Sequence, residues 1–274
     1  MNTPDAHDAL LFRSLHDPRQ PLALSNAWDV ASALISEAAG VSAVATTSAG
    51  VAWSLGLPDG NHLAREQAIA TVRAIVAAVK VPVTADVEGG YANSAGDVAR
   101  TIDGMLGAGA VGVNIEDGSL SPEELAARVA AARSAANTAG VELFINARTD
   151  VFLAGIGAPE ARLAETLDRA QRYLDAGADG IFVPGVVDTT TIGALASGID
   201  APLNVMAGVG APSVAELGRL GVARVSLGSG VAQAAYAVAR RAATELVSTG
   251  TYGATSEAVD YGELNALMGS PTRG

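Results

Sequence analysis

Eight short apolar runs, separated by stretches of helical character, constrain this chain more than any other feature. They fall at residues 22–26, 43–47, 81–86, 111–116, 142–147, 180–184, 202–206 and 223–228. Each is too short for a helix and is bounded by Gly or polar residues, the pattern of a strand covered on both faces. Between them lie segments rich in Ala, Leu and Arg. The turn back from helix to strand recurs nearly unchanged in Leu106-Gly-Ala-Gly-Ala-Val-Gly-Val, Leu174-Asp-Ala-Gly-Ala-Asp-Gly-Ile and Leu220-Gly-Val-Ala-Arg-Val. The Gly in that turn is expected to end the preceding helix, because it takes up the left-handed conformation without steric penalty. Eight strand-helix units in 274 residues predict an α/β fold, a (β/α)8 TIM-type barrel forming one domain over residues 1–274.

Three further segments frame the barrel. Residues 5–16 space Ala9, Leu10, Phe12 and Leu15 as a helical face, predicting a helix that covers the barrel bottom. Ser121-Pro-Glu-Glu124 combines an N-cap Ser, a Pro at the first helical position and a Glu at the third, a capping box. After the last strand a helix over 230–248 gives way to a helical extension at about 254–268 carrying Ala258, Tyr261, Leu264, Leu267 and Met268. An apolar helix beyond a complete barrel needs something to pack on, and a second subunit is the expected partner.

Composition narrows the chemistry. The absence of Cys removes disulfides, thiolate metal sites and a thiol nucleophile. Lys80 is the only lysine and precedes a strand, at the barrel end opposite the usual chemistry, so no Schiff base is expected. Of His7, His16 and His62, only His62 lies where it can approach a barrel mouth. A net charge of −12 argues against nucleic acid and anionic membrane surfaces as partners and leaves small molecules. The acidic start and the lack of a long uninterrupted apolar run predict a cytoplasmic protein.

In a barrel of this kind the reacting groups stand at the C-terminal strand ends. That rule selects Asn26, Trp28 and Asp29; Thr46, Thr47 and Ser48; Asp86 and Glu88; Glu116 and Asp117; Asn146, Arg148 and Asp150; Asn204; Ser226 and Ser229. Val81-Pro-Val-Thr-Ala-Asp86-Val-Glu88-Gly-Gly-Tyr91 delivers two carboxylates to one tip, and Val111-Gly-Val-Asn-Ile115 runs into Glu116 on the next. Hard oxygen donors gathered at neighbouring tips suit Mg²⁺, or Mn²⁺, better than helix capping alone explains them. Arg148 reads either as an ion-pair partner of Asp86 or Asp150, or as a bidentate binder of a substrate carboxylate or enolate oxygen. Thr46 to Gly50 offers hydroxyls and free N–H groups after a strand, which suit a carboxylate or an ordinary turn equally. Asp59, in Leu57-Pro-Asp-Gly60, reads in isolation as a turn acid, and Ser226-Leu-Gly-Ser-Gly230 as a Gly-rich turn without a lysine.

With these residues in order, from Leu24-Ser-Asn-Ala-Trp-Asp29 through Phe144-Ile-Asn-Ala-Arg148 to Ala176-Gly-Ala-Asp-Gly-Ile-Phe182, the chain resembles the isocitrate lyase/phosphoenolpyruvate mutase superfamily, and within it the shorter phosphonomutase-like proteins. The resemblance implies that Thr47, Ser48 and Ala49 hold a substrate carboxylate, that Asp59, Asp86, Glu88 and Glu116 hold Mg²⁺ directly or through water, and that Arg148 contacts substrate oxygens. Trp28, Asp86 and Asn204 complete the expected substrate contacts, and Asp59, Glu116 and Arg148 the expected catalytic set. It also implies small 2-oxo or dicarboxylic acid substrates, and a homo-oligomer, dimer or tetramer, that exchanges its C-terminal helix. Two departures choose among reactions. The Lys-Arg-Cys-Gly-His-type lid of the isocitrate and methylisocitrate lyases cannot exist without Cys, and no Lys follows the Glu-Asp pair as in the mutases and phosphonopyruvate hydrolases. The expectation is a Mg²⁺-dependent lyase or decarboxylase that cleaves a C–C bond through an enolate. The alternatives are a phosphonate mutase or hydrolase and a non-catalytic 2-oxo acid binder.

Overall fold

The computed structural model describes residues 4–269. In chain order the elements are α1 (Ala6–Ser14), β1 (Leu22–Leu24), β2 (Asn26–Ala27), α2 (Val30–Ala38), β3 (Val44–Thr46), α3 (Ser48–Ser54), α4 (Arg65–Ala78) and β4 (Val83–Asp86). Then follow α5 (Ala95–Ala108), β5 (Gly112–Glu116), α6 (Pro122–Ala139), β6 (Phe144–Arg148), α7 (Arg162–Asp175) and β7 (Gly180–Val183). The chain continues with α8 (Thr189–Gly198), β8 (Leu203–Met206), α9 (Val214–Arg219), β9 (Val222–Ser226), α10 (Gly230–Ser248) and α11 (Tyr261–Met268). All strands pair in parallel, β1 with β9 at one edge and β2 with β3 at the other. Because β1 and β2 are one strand broken at Ser25, the ring closes through the chain itself, and eight barrel positions result as expected.

The repeated turns do what their Gly residues predict. Gly109 (φ 94°) and Gly140 (φ 68°) end α5 and α6 in the left-handed conformation. Ser121 caps α6, its Oγ accepting from Glu124 N at 3.2 Å while Ser121 N donates back to Glu124 Oε2 at 2.8 Å.

Strand residues alternate between two environments. Ala85, Val113, Ile115, Ile145, Ala147, Ile181 and Val183 belong to the main apolar core with the surrounding helices. The intervening residues include Asn114, Asn146, Asn204 and Arg224, which replace the hydrophobic filling expected inside the barrel with a bonded polar layer. Asn146 Nδ2 donates to the Oδ1 atoms of Asn114 (3.0 Å) and Asn204 (3.1 Å), and Arg224 Nη2 donates to Asn114 Oδ1 at 3.1 Å. Arg224 is wholly buried, and burial pushes its pKa down to about 9 against the opposing charge of Asp86.

At the bottom, α1 inserts Phe12 among the strand starts, with its ring edge-on to Phe144 at 5.8 Å. Burying a ring of this size contributes about 2–3 kcal/mol. A Cβ on Gly112 would lie 2.7 Å from Phe12, and one on Gly180 would lie 3.1 Å from Phe144, so both strands must begin with Gly for the rings to fit. Ala9 is buried with Phe12, but Leu10, expected on the same face, is 58% exposed. Its spacing fits the inward face, but the helix buries only the side that meets the strand starts.

Helix α10 leaves the barrel with Ala232 as its only buried residue among those described. Leu267 of α11 packs beside the small cluster formed with α2, whereas Tyr261 and Val259 are exposed. Among the described residues no helix is long and apolar enough to cross a membrane.

Candidate active site

Strand tips β3 to β6 bring most of the selected charges to one place. Asp86, the last residue of β4, accepts from Ser48 N (3.1 Å) and Ser48 Oγ (2.9 Å), and its own N–H donates to Thr46 Oγ1 at 2.9 Å. The N-terminus of α3 is thereby fixed against β4, with Ser48, one of the residues expected to receive a substrate carboxylate, holding a protein carboxylate. Thr47 caps α3, and Gly50 lets it approach, since a Cβ there would lie 2.7 Å from Thr47 Cγ2 and 2.8 Å from the Trp28 Cβ. Ala49, in the first turn of α3, is also buried.

Two residues on, Glu88 adopts a left-handed backbone (φ 50°), an unusual conformation for a residue with a long side chain. Its Oε2 accepts from Asn61 N, while Oε1 is buried without a partner of ordinary hydrogen-bond geometry, the Tyr91 hydroxyl being the polar group beside the carboxyl. Burial pushes its carboxyl up to about 7, Asn61 opposing and Asp86 and Asp59 adding to the shift. Asp59, on the loop before α4, is also raised, first by burial and then by Asp86. This acid is no plain turn residue: its charge is felt at the mouth.

Glu116 closes β5 and Arg148 closes β6. Arg148 Nη1 lies 2.6 Å from Glu116 Oε2, and its Nε and Nη2 clasp Asp150 at 2.6 and 3.0 Å. Burial pushes Glu116 up to about 8 despite Arg148, because Asp86, Asp150 and Glu88 add negative charge. Burial disfavours the Arg148 charge, but Glu116 and Asp150 hold it above its ordinary value. The ion-pair reading of Arg148 thus holds for Asp150, with Glu116 in place of Asp86.

Other selected residues serve structure. Asp29 caps α2, accepting from Ser32 N at 2.7 Å. Asn26 ties β3 to the end of β9, donating to Thr46 O and accepting from Leu227 N. Asn204, expected to touch substrate, lies in the polar layer with its amide donating to Arg224 O and Ser226 Oγ. Asp117 turns away from Glu116: its Oδ1 accepts from Asp150 N at 2.8 Å, and its Oδ2 from Arg169 Nη1 (2.8 Å) and Tyr173 Oη (2.9 Å). Arg169 and Tyr173 escaped the sequence reading. Their spacing of four on α7 puts them on one helix face, but nothing local tells which acid they meet.

The carboxylates expected to hold Mg²⁺ directly or through water stand apart, each with a protein partner of its own. Among the described residues no three His, Cys, Asp or Glu side chains stand close enough to hold an ion together. Asp86 is held by Ser48, Glu88 by Asn61 and Glu116 by Arg148. The donor chemistry fits a small hard cation: only oxygen donors converge, Glu88 Oε1 lacks a hydrogen bond of ordinary geometry, and the Glu88 and Glu116 carboxyls are raised first by burial and then by neighbouring acids. Mg²⁺ commonly takes one or two carboxylates and keeps several waters, so a full cage is not required.

The sequence profile described as phosphoenolpyruvate phosphomutase matches residues 12–247. The chain belongs to that family, within the isocitrate lyase/phosphoenolpyruvate mutase superfamily. An uncharacterized protein of Mycobacterium tuberculosis is 39% identical over 94% of this chain and 95% of its own. The 2-methylisocitrate lyase of Escherichia coli is 30% identical over 70% of this chain and 67% of its own. A Burkholderia cenocepacia crystal structure, provisionally assigned as a phosphonomutase, is 45% identical with a TM-score of 0.82, over 86% of this chain and 98% of that one. The same fold, at 23% identity and a TM-score of 0.82, carries a phosphonopyruvate hydrolase bound to oxalate and Mg²⁺, over 96% of this chain and 95% of that one. The family is one of enzymes, lyases and mutases among them.

Proposed function

We propose that the protein is a Mg²⁺-dependent lyase that cleaves a C–C bond in a small 2-oxo or 2-hydroxy acid through an enolate. The observation that carries this reading is the connection from β5 to α6. It runs Asp117-Gly-Ser-Leu-Ser121, holds no cation, and is already committed at its end to capping α6. Shielding a migrating phosphoryl group from water calls for a longer closing segment, whereas loss of CO₂ or a retro-aldol step tolerates a wetter site.

Asp86, with Asp59, Glu88 and Glu116 directly or through water, is the holder proposed for Mg²⁺, which when bound polarises the 2-oxo group. The first turn of α3 (Thr47, Ser48, Ala49) and Trp28 receive the substrate carboxylate. Asp59 accepts the proton of a 2-hydroxyl, and the electron pair of the breaking bond passes to the leaving acid as its enolate. Arg148 stabilises that negative oxygen with a fixed guanidinium. Glu116, raised towards neutrality, returns a proton to the enolate carbon. The second copy of the chain is the proposed cover for α10 and α11; deleting the residues after Gly253 is expected to shift the sedimenting species to smaller assemblies.

The test is a product assay over oxaloacetate, 2-methylisocitrate-like acids and phosphonopyruvate, with and without Mg²⁺. Metal-dependent release of a 2-oxo acid or CO₂ is expected. A P–C product seen by ³¹P NMR to accumulate from phosphoenolpyruvate under a trapping enzyme would replace the lyase with a mutase.

A further inference from the structure

Beside the mouth lies a pocket of about 430 Å³, behind Glu116 and beneath the short β5–α6 connection. Asn61, Arg65, Asn93, Ser119 and Arg128 line it, and Glu116 belongs to both the pocket and the mouth. The charges around it do not balance. Glu116 is paired with Arg148, Asp117 with Arg169, and Arg65 with Asp97 at 2.6 Å. Arg128, a residue of α6 only 9% exposed, forms no such ion pair; the acid that feels its charge, Glu124 one turn earlier on α6, is exposed and bonded to Ser121 N. Among the described residues it bonds only main-chain oxygens, its Nη1 donating to Gly89 O and, at 3.0 Å, to Ala92 O. Its Nε and Nη2 are left without a protein acceptor.

A nearly buried guanidinium with free donors and no ion-pair partner, in a pocket rimmed by amide and hydroxyl groups, attracts an anion. We propose that this pocket is a subsite for a second carboxylate, carried on an arm of the substrate that extends sideways from the mouth past Glu116 to Arg128. The inference rests on the 2-oxo acid reading of the mouth and adds to it the place and charge of the distal group. The short β5–α6 connection is what leaves the space free.

The test is calorimetric binding in Mg²⁺ of two probes equal in carbon count, 2-oxoadipate and 2-oxohexanoate, which share a head and differ in the terminal carboxylate. The diacid is expected to bind at least about tenfold tighter, the size of one charge-assisted contact. Arg128→Met should bring the two affinities to within about twofold and Arg128→Lys should keep part of the difference. Because Arg128 also ties two loop carbonyls, Ser119→Glu on the exposed loop serves as the second variant. It should weaken the diacid alone. Equal affinities in the unaltered protein overturn the subsite and leave the reading of the mouth intact; failure of both probes to bind overturns both. A diacid preference that survives Arg128→Met and Ser119→Glu also overturns the subsite.

Discussion

The two ends of the barrel use the same strands for opposite purposes. At the bottom, Phe12, His16 and Phe144 pack ring against ring, with His16 stacked on Phe144 at 3.9 Å and 10°. Close fit rules there: Gly stands at two strand starts, Arg13 and Arg224 lie over the Phe144 and Phe12 rings, and burial and the Arg224 charge push the His16 pKa down to about 3. At the mouth, four acids share one neighbourhood with Arg148, and burial raises three of them. Crowding like charges out of water destabilises a fold, so the mouth is kept for something other than stability. The bottom supplies the stability that the mouth consumes.

That contrast can be broken in order of expected effect. Phe12→Ala should cost about 3–5 kcal/mol of unfolding free energy and leave turnover of the folded enzyme unchanged. Denaturant melts beside kcat would show it, and an equal loss in both would erase the distinction between the ends. Arg148→Ala should do the reverse, lowering kcat about 10²–10³-fold with the far-UV spectrum and Mg²⁺ affinity retained. Less than about a tenfold drop in kcat would remove Arg148 from the chemistry.

A smaller effect follows from His16. Its folded pKa of about 3 lies below the ordinary 6.5, so both states are neutral above pH 6.5 and nothing is lost there. As pH falls through 6.5 towards 3, the unfolded chain takes up a proton that the folded one refuses, and stability declines. His16→Gln should flatten the stability profile between pH 6.5 and 5, above the range where most carboxylates titrate; an unchanged slope would show that another group is responsible. The smallest change is Ser121→Ala, which should cost about 1 kcal/mol through loss of the α6 cap and leave catalysis nearly intact. A large catalytic loss there would mean that the short connection closes over substrate after all.

Much of the fold was legible because strands, caps and turns are written locally. The apolar runs found all eight barrel strands to within about three residues, and Ser-Pro-Glu-Glu marked the start of α6. Strand order alone put Asp86, Glu116 and Arg148 at neighbouring tips, but the way Arg148 faces, onto Glu116 and Asp150, depends on register and was not written in it. What stayed hidden depends on which way a side chain turns. Asp117 follows Glu116 directly yet faces α7, because adjacent strand residues point to opposite sides. Asn204 and Arg224 look like site residues or fillers until the layer that bonds them is assembled. Arg128 is ordinary on a helix, and only the loops assembled around it show that its guanidinium meets carbonyls rather than an ion-pair partner.

The break at Ser25 has a consequence for how the molecule is made. Leu22–Leu24 pair with Arg224–Ser226, and Asn26–Ala27 with Ala45–Thr46, so one strand waits for partners about twenty and two hundred residues downstream. During synthesis the β2 side can zip early, while the β1 side stays unpaired until the last strand leaves the ribosome. The β1 edge is therefore closed late, although α1 can seat Phe12 on Phe144 before β9 arrives. Amides along the β1–β9 seam should be among the last in the barrel to gain protection from exchange during refolding.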